Sequence, residues 1–75
     1  MVSNDKILEK FNINDVVEVT YKTNYGTNFF GVITGFVLND INEVCITIKE
    51  VVHYQAEEVI RYMNPNARGF SINRL

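Results

Sequence analysis

Eighteen of the 75 residues are Val or Ile, against 3 Leu and 2 Ala, and they fall into short stretches that alternate with polar residues. β-Branched side chains lose rotamer freedom in a helix and pack well on a pleated face, so this alphabet selects strands. Val17, Val19 and Tyr21 alternate with Glu18, Thr20 and Lys22, the period-two pattern of a strand wet on one face. Val44, Ile46 and Ile48 repeat it against Cys45, Thr47 and Lys49. A chain of this length makes one domain, spanning 1–75, and it buries only about 60% of its unfolded surface, so its core must be dense or helped by a partner subunit.

The remaining elements follow from local chemistry. Residues 3–11 read as a short helix, with Ser3 or Asn4 as N-cap, Asp5 at the positive end, and Ile7, Leu8 and Phe11 on one face. Nine residues do not hold a helix alone in water, so it needs a surface to lie on. Phe29–Val37 reads as a long second strand whose glycines, Gly31 and Gly35, fall on one face and mark a bend. Asn-rich turns at 38–42 and 64–67 frame the third strand, at 43–52, and precede the last, at 70–75. Residues 53–63 fit a helix face through Ala56, Val59, Ile60 and Met63, and fit a strand through Val59–Tyr62; strand is preferred, because the sheet otherwise lacks an edge. The expected fold is mostly β: a small five-stranded antiparallel barrel with a short N-terminal helix.

Composition excludes several function classes. Seven Lys and Arg against nine Asp and Glu give a formal charge of −2, so no overall cationic field draws the chain to duplex DNA, RNA or anionic lipid. Any nucleic-acid contact is local. The N-terminus lacks the apolar stretch of a signal peptide, and no apolar run approaches the roughly 18 residues that span a bilayer, so the expectation is a soluble protein without membrane partners. One cysteine, Cys45, cannot form an internal disulfide, which suits a reducing intracellular, cytoplasmic setting. With a single histidine, His53, it cannot complete a zinc site, and no metal or other cofactor is expected. Catalysis is not expected either, since neither group has a third residue to orient it.

What remains is polar chemistry at the strand ends. Asn39, Asp40 and Asn42 in one turn, with Arg68, Gly69 and Ser71 at another, can converge on one rim and offer amide, carboxylate and guanidinium groups to a base edge. Single-stranded RNA is read by such groups, through hydrogen bonds to base edges and stacking. Against this stands a plainer role: Asn and Asp fill β-turns for backbone reasons in most proteins.

The order of helix, long bent strand, Asn-bearing turn, strand and Arg-Gly before a final strand resembles the Sm and Sm-like (Lsm) family. The first motif corresponds to Gly31-Val32-Ile33-Thr34-Gly35-Phe36-Val37-Leu38-Asn39-Asp40-Ile41-Asn42-Glu43-Val44-Cys45-Ile46. The second corresponds to Ala67-Arg68-Gly69-Phe70-Ser71-Ile72-Asn73-Arg74-Leu75. Val37 stands where the family usually has Asp, one extra residue separates Phe36 from Asn42, and the base-stacking aromatic is missing. The resemblance implies an Sm-like barrel, base contacts by Asn42 and Arg68, and a homo-oligomeric ring in which the fourth strand of one copy pairs with the fifth of its neighbour. The expected function is thus a non-enzymatic, RNA-binding or ribonucleoprotein scaffold module with single-stranded RNA as partner. The alternative is an SH3-like protein-interaction barrel, of the kind a phage or mobile element would carry, binding a partner peptide through Tyr25, Tyr54, Tyr62, Phe29 and Phe70. A third reading, nucleic-acid mimicry by Glu43, Glu50, Glu57 and Glu58, needs a stronger acidic balance.

Overall fold

The structure is a computed structural model and describes residues 3–22, 26–51 and 58–75. Tyr25, His53, Tyr54 and Glu57, and with them the helix-or-strand question at 53–57, lie outside the described residues.

Helix α1 runs Asn4–Lys10, and Ser3 is its N-cap, its hydroxyl accepting from the Lys6 N–H. Asp5 in the first turn and Lys10 in the last complement the helix dipole. Ile7 and Phe11, four residues apart, are buried, whereas Leu8 is 46% exposed. The apolar face of so short a helix is a single i, i+4 line.

Five antiparallel strands follow: β1 Val16–Tyr21, β2 Phe29–Leu38, β3 Val44–Glu50, β4 Ile60–Met63 and β5 Phe70–Arg74. Their order in the sheet is β4-β3-β2-β1-β5. The preference for strand in the ambiguous stretch therefore holds at Ile60–Met63, which pairs with β3. On the core face Val19 sits between Phe29 and Ile72, and Ile46 lies between Phe36 and Met63. Val17, Ile33 and Ile48 join them, and Ile7 and Phe11 of α1 belong to the same buried cluster. This is the surface the helix needed.

The β2–β3 register slips between Ile33 and Gly35, making Thr34 the extra residue of a β-bulge. Gly31 and Ile33 face the core before it, and Phe36, opposite Ile46, returns to the core after it. Gly35, opposite Thr47, is on the other face. The two glycines thus lie on opposite faces, because a one-residue insertion inverts the period-two reading downstream. The inserted Thr34 places its hydroxyl 2.9 Å from that of Thr47. Thr47 and Cys45 are buried although they face away from the core.

The sheet ends at β4 on one side and β5 on the other, and no ladder joins these two among the described residues. The fold established is therefore a five-stranded antiparallel sheet with an N-terminal helix packed on its core face. No helix among the described residues is long and apolar enough to cross a membrane.

Candidate functional site

Two connections carry the residues singled out in the sequence. The β2–β3 turn is built on Asn39, whose side-chain carbonyl accepts from the backbone N–H of Ile41 at 3.0 Å and of Glu43 at 2.9 Å. Its backbone N–H donates to Glu43 O, and Asn42 takes a positive φ of 62°. Asparagine tolerates that conformation better than most residues. The oxygen of the Asn39 side chain is thus committed to the turn, as the plainer reading expects. Asp40 and Asn42 are exposed.

Asn4 fixes this turn from outside. Its Nδ2 donates to Asn42 O at 2.8 Å and its Oδ1 accepts from Val44 N–H at 2.9 Å. No local pattern signals this tether, because Asn4 reads as a helix cap and its partners are 38 and 40 residues away.

The β4–β5 connection begins with an Asx turn, Asn64 Oδ1 accepting from the Asn66 N–H. Asn64 Nδ2 also donates to Glu43 Oε1 at 3.1 Å, which ties this connection to the end of the β2–β3 turn. Gly69 closes the connection with φ 99°, a conformation that only glycine adopts freely, and its carbonyl accepts from the Lys22 N–H. Arg68 beside it is exposed and forms no ion pair among the described residues. Ser71 faces Thr20 across the β1–β5 ladder, the two hydroxyls 2.8 Å apart. The two connections therefore meet through Glu43 and Asn64, while Asp40, Asn42, Arg68 and Ser71 are the exposed members of the set, the Ser71 hydroxyl being held by Thr20.

The described members of the other two surfaces lie apart or are already paired. Phe29 is in the core, Phe70 packs against Tyr21 at 5.8 Å between ring centroids, and Tyr62 projects from β4 at the opposite end of the sheet. These rings do not share a groove. Of the acidic residues, Glu50 pairs with Arg61 at 2.8 Å, Glu58 with Lys49 at 2.9 Å, and Glu43 is held by Asn64, so no free acidic patch forms from them. Burial, and secondarily the charge of Glu43, push the Cys45 thiol above its ordinary value, the opposite of what a nucleophile needs. No group of three or more metal-binding side chains comes together among the described residues.

One concavity involves none of these residues except Phe70 and Ser71. A groove of about 660 Å³ runs between α1 and β5, with Ile7, Phe11, Phe70 and Ile72 as apolar lining and Lys6 and Lys10 on the helix wall. Only the i, i+4 spacing of the lysines hinted at it. Compared with models of known protein families, with curated proteins and with solved structures, the chain gives no match.

Proposed function

We propose that this chain is a non-enzymatic, Sm-like scaffold module whose sheet curls into a small barrel, joins copies of itself through its end strands and holds single-stranded RNA at the loop rim. The observation that carries this reading is the sheet order. β4 and β5 are both terminal, so each carries a row of backbone donors and acceptors with no partner among the described residues. A 75-residue domain gains by covering such edges with a second copy, β4 of one on β5 of the next. The bulge at Thr34 supplies the bend that a curled sheet needs.

RNA recognition would rest on exposed Asn42 and Arg68, with Asp40 in the same turn as Asn42, and with Asn39, Gly69 and Ser71 shaping the connections. Guanidinium and amide groups serve single-stranded bases by stacking and edge hydrogen bonds. With a net charge of −2, such contacts act locally. A reducing, intracellular location suits the lone buried thiol of Cys45.

The test is the solution mass by light scattering at two salt concentrations, with and without a short oligo-uridine. An assembly of about five to eight copies that retains the RNA is expected. A monomer of 8.7 kDa indifferent to RNA overturns both the assembly and the RNA site.

A further inference from the structure

The β1–β5 ladder fixes which way each backbone group of β5 points. Lys22 N–H donates to Gly69 O, and Leu75 N–H donates to Val16 O. Hydrogen-bonded pairs alternate along an antiparallel ladder, so Gly69, Ser71, Asn73 and Leu75 turn their backbone groups toward β1. Phe70, Ile72 and Arg74 turn theirs outward, where no described strand lies. Beside that edge is the groove under α1. Phe70 and Ile72 direct their side chains to the core face, opposite Tyr21 and Val19, and so form the wall of the groove next to the edge.

We propose that this groove is a docking site for an extended peptide that adds as a sixth strand along β5, its groove-facing alternate positions apolar at the centre and carboxylate at the flank beside α1. Backbone hydrogen bonds to Phe70 and Ile72 demand a strand, which neither a helix nor a small molecule supplies. Alternation follows from the period of two: residues on the core face of the added strand enter the groove against Ile7, Phe11, Phe70 and Ile72, while those on the other face continue the polar row of Ser71 and Asn73. Charge selects the flank. Lys6 and Lys10 line the helix wall with a single carboxylate, Glu9, between them, and the third cation nearby, Arg74, is occupied by Lys10 O at 3.0 Å and by Asp15. The occupant is a different chain from the second copy considered above, and it uses the same edge, so peptide and neighbour compete for β5.

The experiment uses the full chain and a fluorescein-labelled synthetic peptide with serine at every second position and, on the opposite face, isoleucine at the central positions and glutamate at the flanking ones, read by fluorescence anisotropy. Two N-methylated versions test the geometry: methyl groups on every second amide, in either register. Binding is expected to fall at least tenfold for the register whose N–H groups meet β5 and to change little for the other. K6E/K10E is expected to weaken the acidic peptide by roughly tenfold, as two lost charge contacts allow, and to strengthen a version with lysine in place of glutamate. Equal loss in both registers, or an unchanged affinity in K6E/K10E, overturns the proposal. Light scattering on the same samples separates it from self-assembly. A monomer that binds the peptide in one register supports the docking site while removing the ring, and an oligomer that never binds the peptide assigns the β5 edge to a second copy and overturns the proposal.

Discussion

Asn4 and Val44 are joined by a hydrogen bond from the Val44 N–H to the Asn4 Oδ1, 2.9 Å long, which anchors the start of β3 to the first turn of α1. The same amide donates to Asn42 O, so one side chain satisfies two backbone groups of a turn 40 residues away. Removing it leaves the N–H of buried Val44 without a partner. We expect N4A to cost about 1–3 kcal/mol, which for a domain of this size lowers Tm by roughly 4–8 °C per kcal/mol. N4D, which keeps the acceptor and loses the donor, should fall between the two in thermal denaturation. A Tm equal to the parent for N4A would show that the clamp contributes nothing.

The two glycines of β2 should answer oppositely to the same substitution. A Cβ on Gly31 would fall on Ile48 Cγ2 and 2.7 Å from the Lys49 carbonyl oxygen, a backbone atom of the adjacent strand. Neither can retreat without opening the β2–β3 ladder. G31A is expected to cost about 1–3 kcal/mol by overpacking. At Gly35 the nearest atom is Thr47 Oγ1 at 3.4 Å, ordinary contact. G35A should be within about 0.5 kcal/mol of the parent in urea denaturation.

That contrast also marks how far the sequence can be read. Period-two alternation located β1 and β3 and named Val17, Val19, Ile46 and Ile48 as core, because a pleated strand with one buried face leaves no other pattern. Strand β4 was legible as a strand through the need for an edge. The faces of β2 were not, since a single inserted residue at Thr34 leaves no mark in composition and inverts everything after it. Leu8 reads as part of the buried face because i and i+1 residues look alike over so short a helix, yet it is exposed. For the candidate site, the turns themselves were legible in Asn39, Asn42 and Gly69. Their tethers were not: Asn4 to Asn42 and Asn64 to Glu43 are long-range side-chain bonds that no local pattern encodes.

Arg68 and Arg74 lie six residues apart in opposite circumstances, and that separates binding from stability. Arg68 is exposed without an ion pair among the described residues, whereas Arg74 donates to Lys10 O at 3.0 Å and stands 3.8 Å from Asp15. R68A should leave the urea midpoint within the range of ordinary surface substitutions, about 0.5 kcal/mol, and abolish oligo-uridine binding in a filter or anisotropy assay. R74A should lower stability by about 1 kcal/mol through the freed carbonyl at the end of α1, and should not act on RNA directly. Unchanged oligo-uridine affinity in R68A removes Arg68 from the site.

Cys45 gives the chain a pH dependence on the alkaline side. Burial first, and the neighbouring charge of Glu43 second, raise its thiol above the ordinary value of 9.0. The folded state therefore holds the proton more tightly than the unfolded state does. Its contribution is fully present below the unfolded pKa and is lost as pH rises from about 9 through the folded value, because only there does the unfolded chain carry fewer protons. C45A removes that titrating group. Comparing urea midpoints of the parent and C45A between pH 7 and pH 10, the parent should lose stability relative to C45A only above pH about 9. Native Cys45 should also react with iodoacetamide at pH 8 far more slowly than the same thiol in urea, since thiolate is the reactive form and the folded environment disfavours it. Equal labelling rates in the two conditions would contradict both the burial and the direction of the shift.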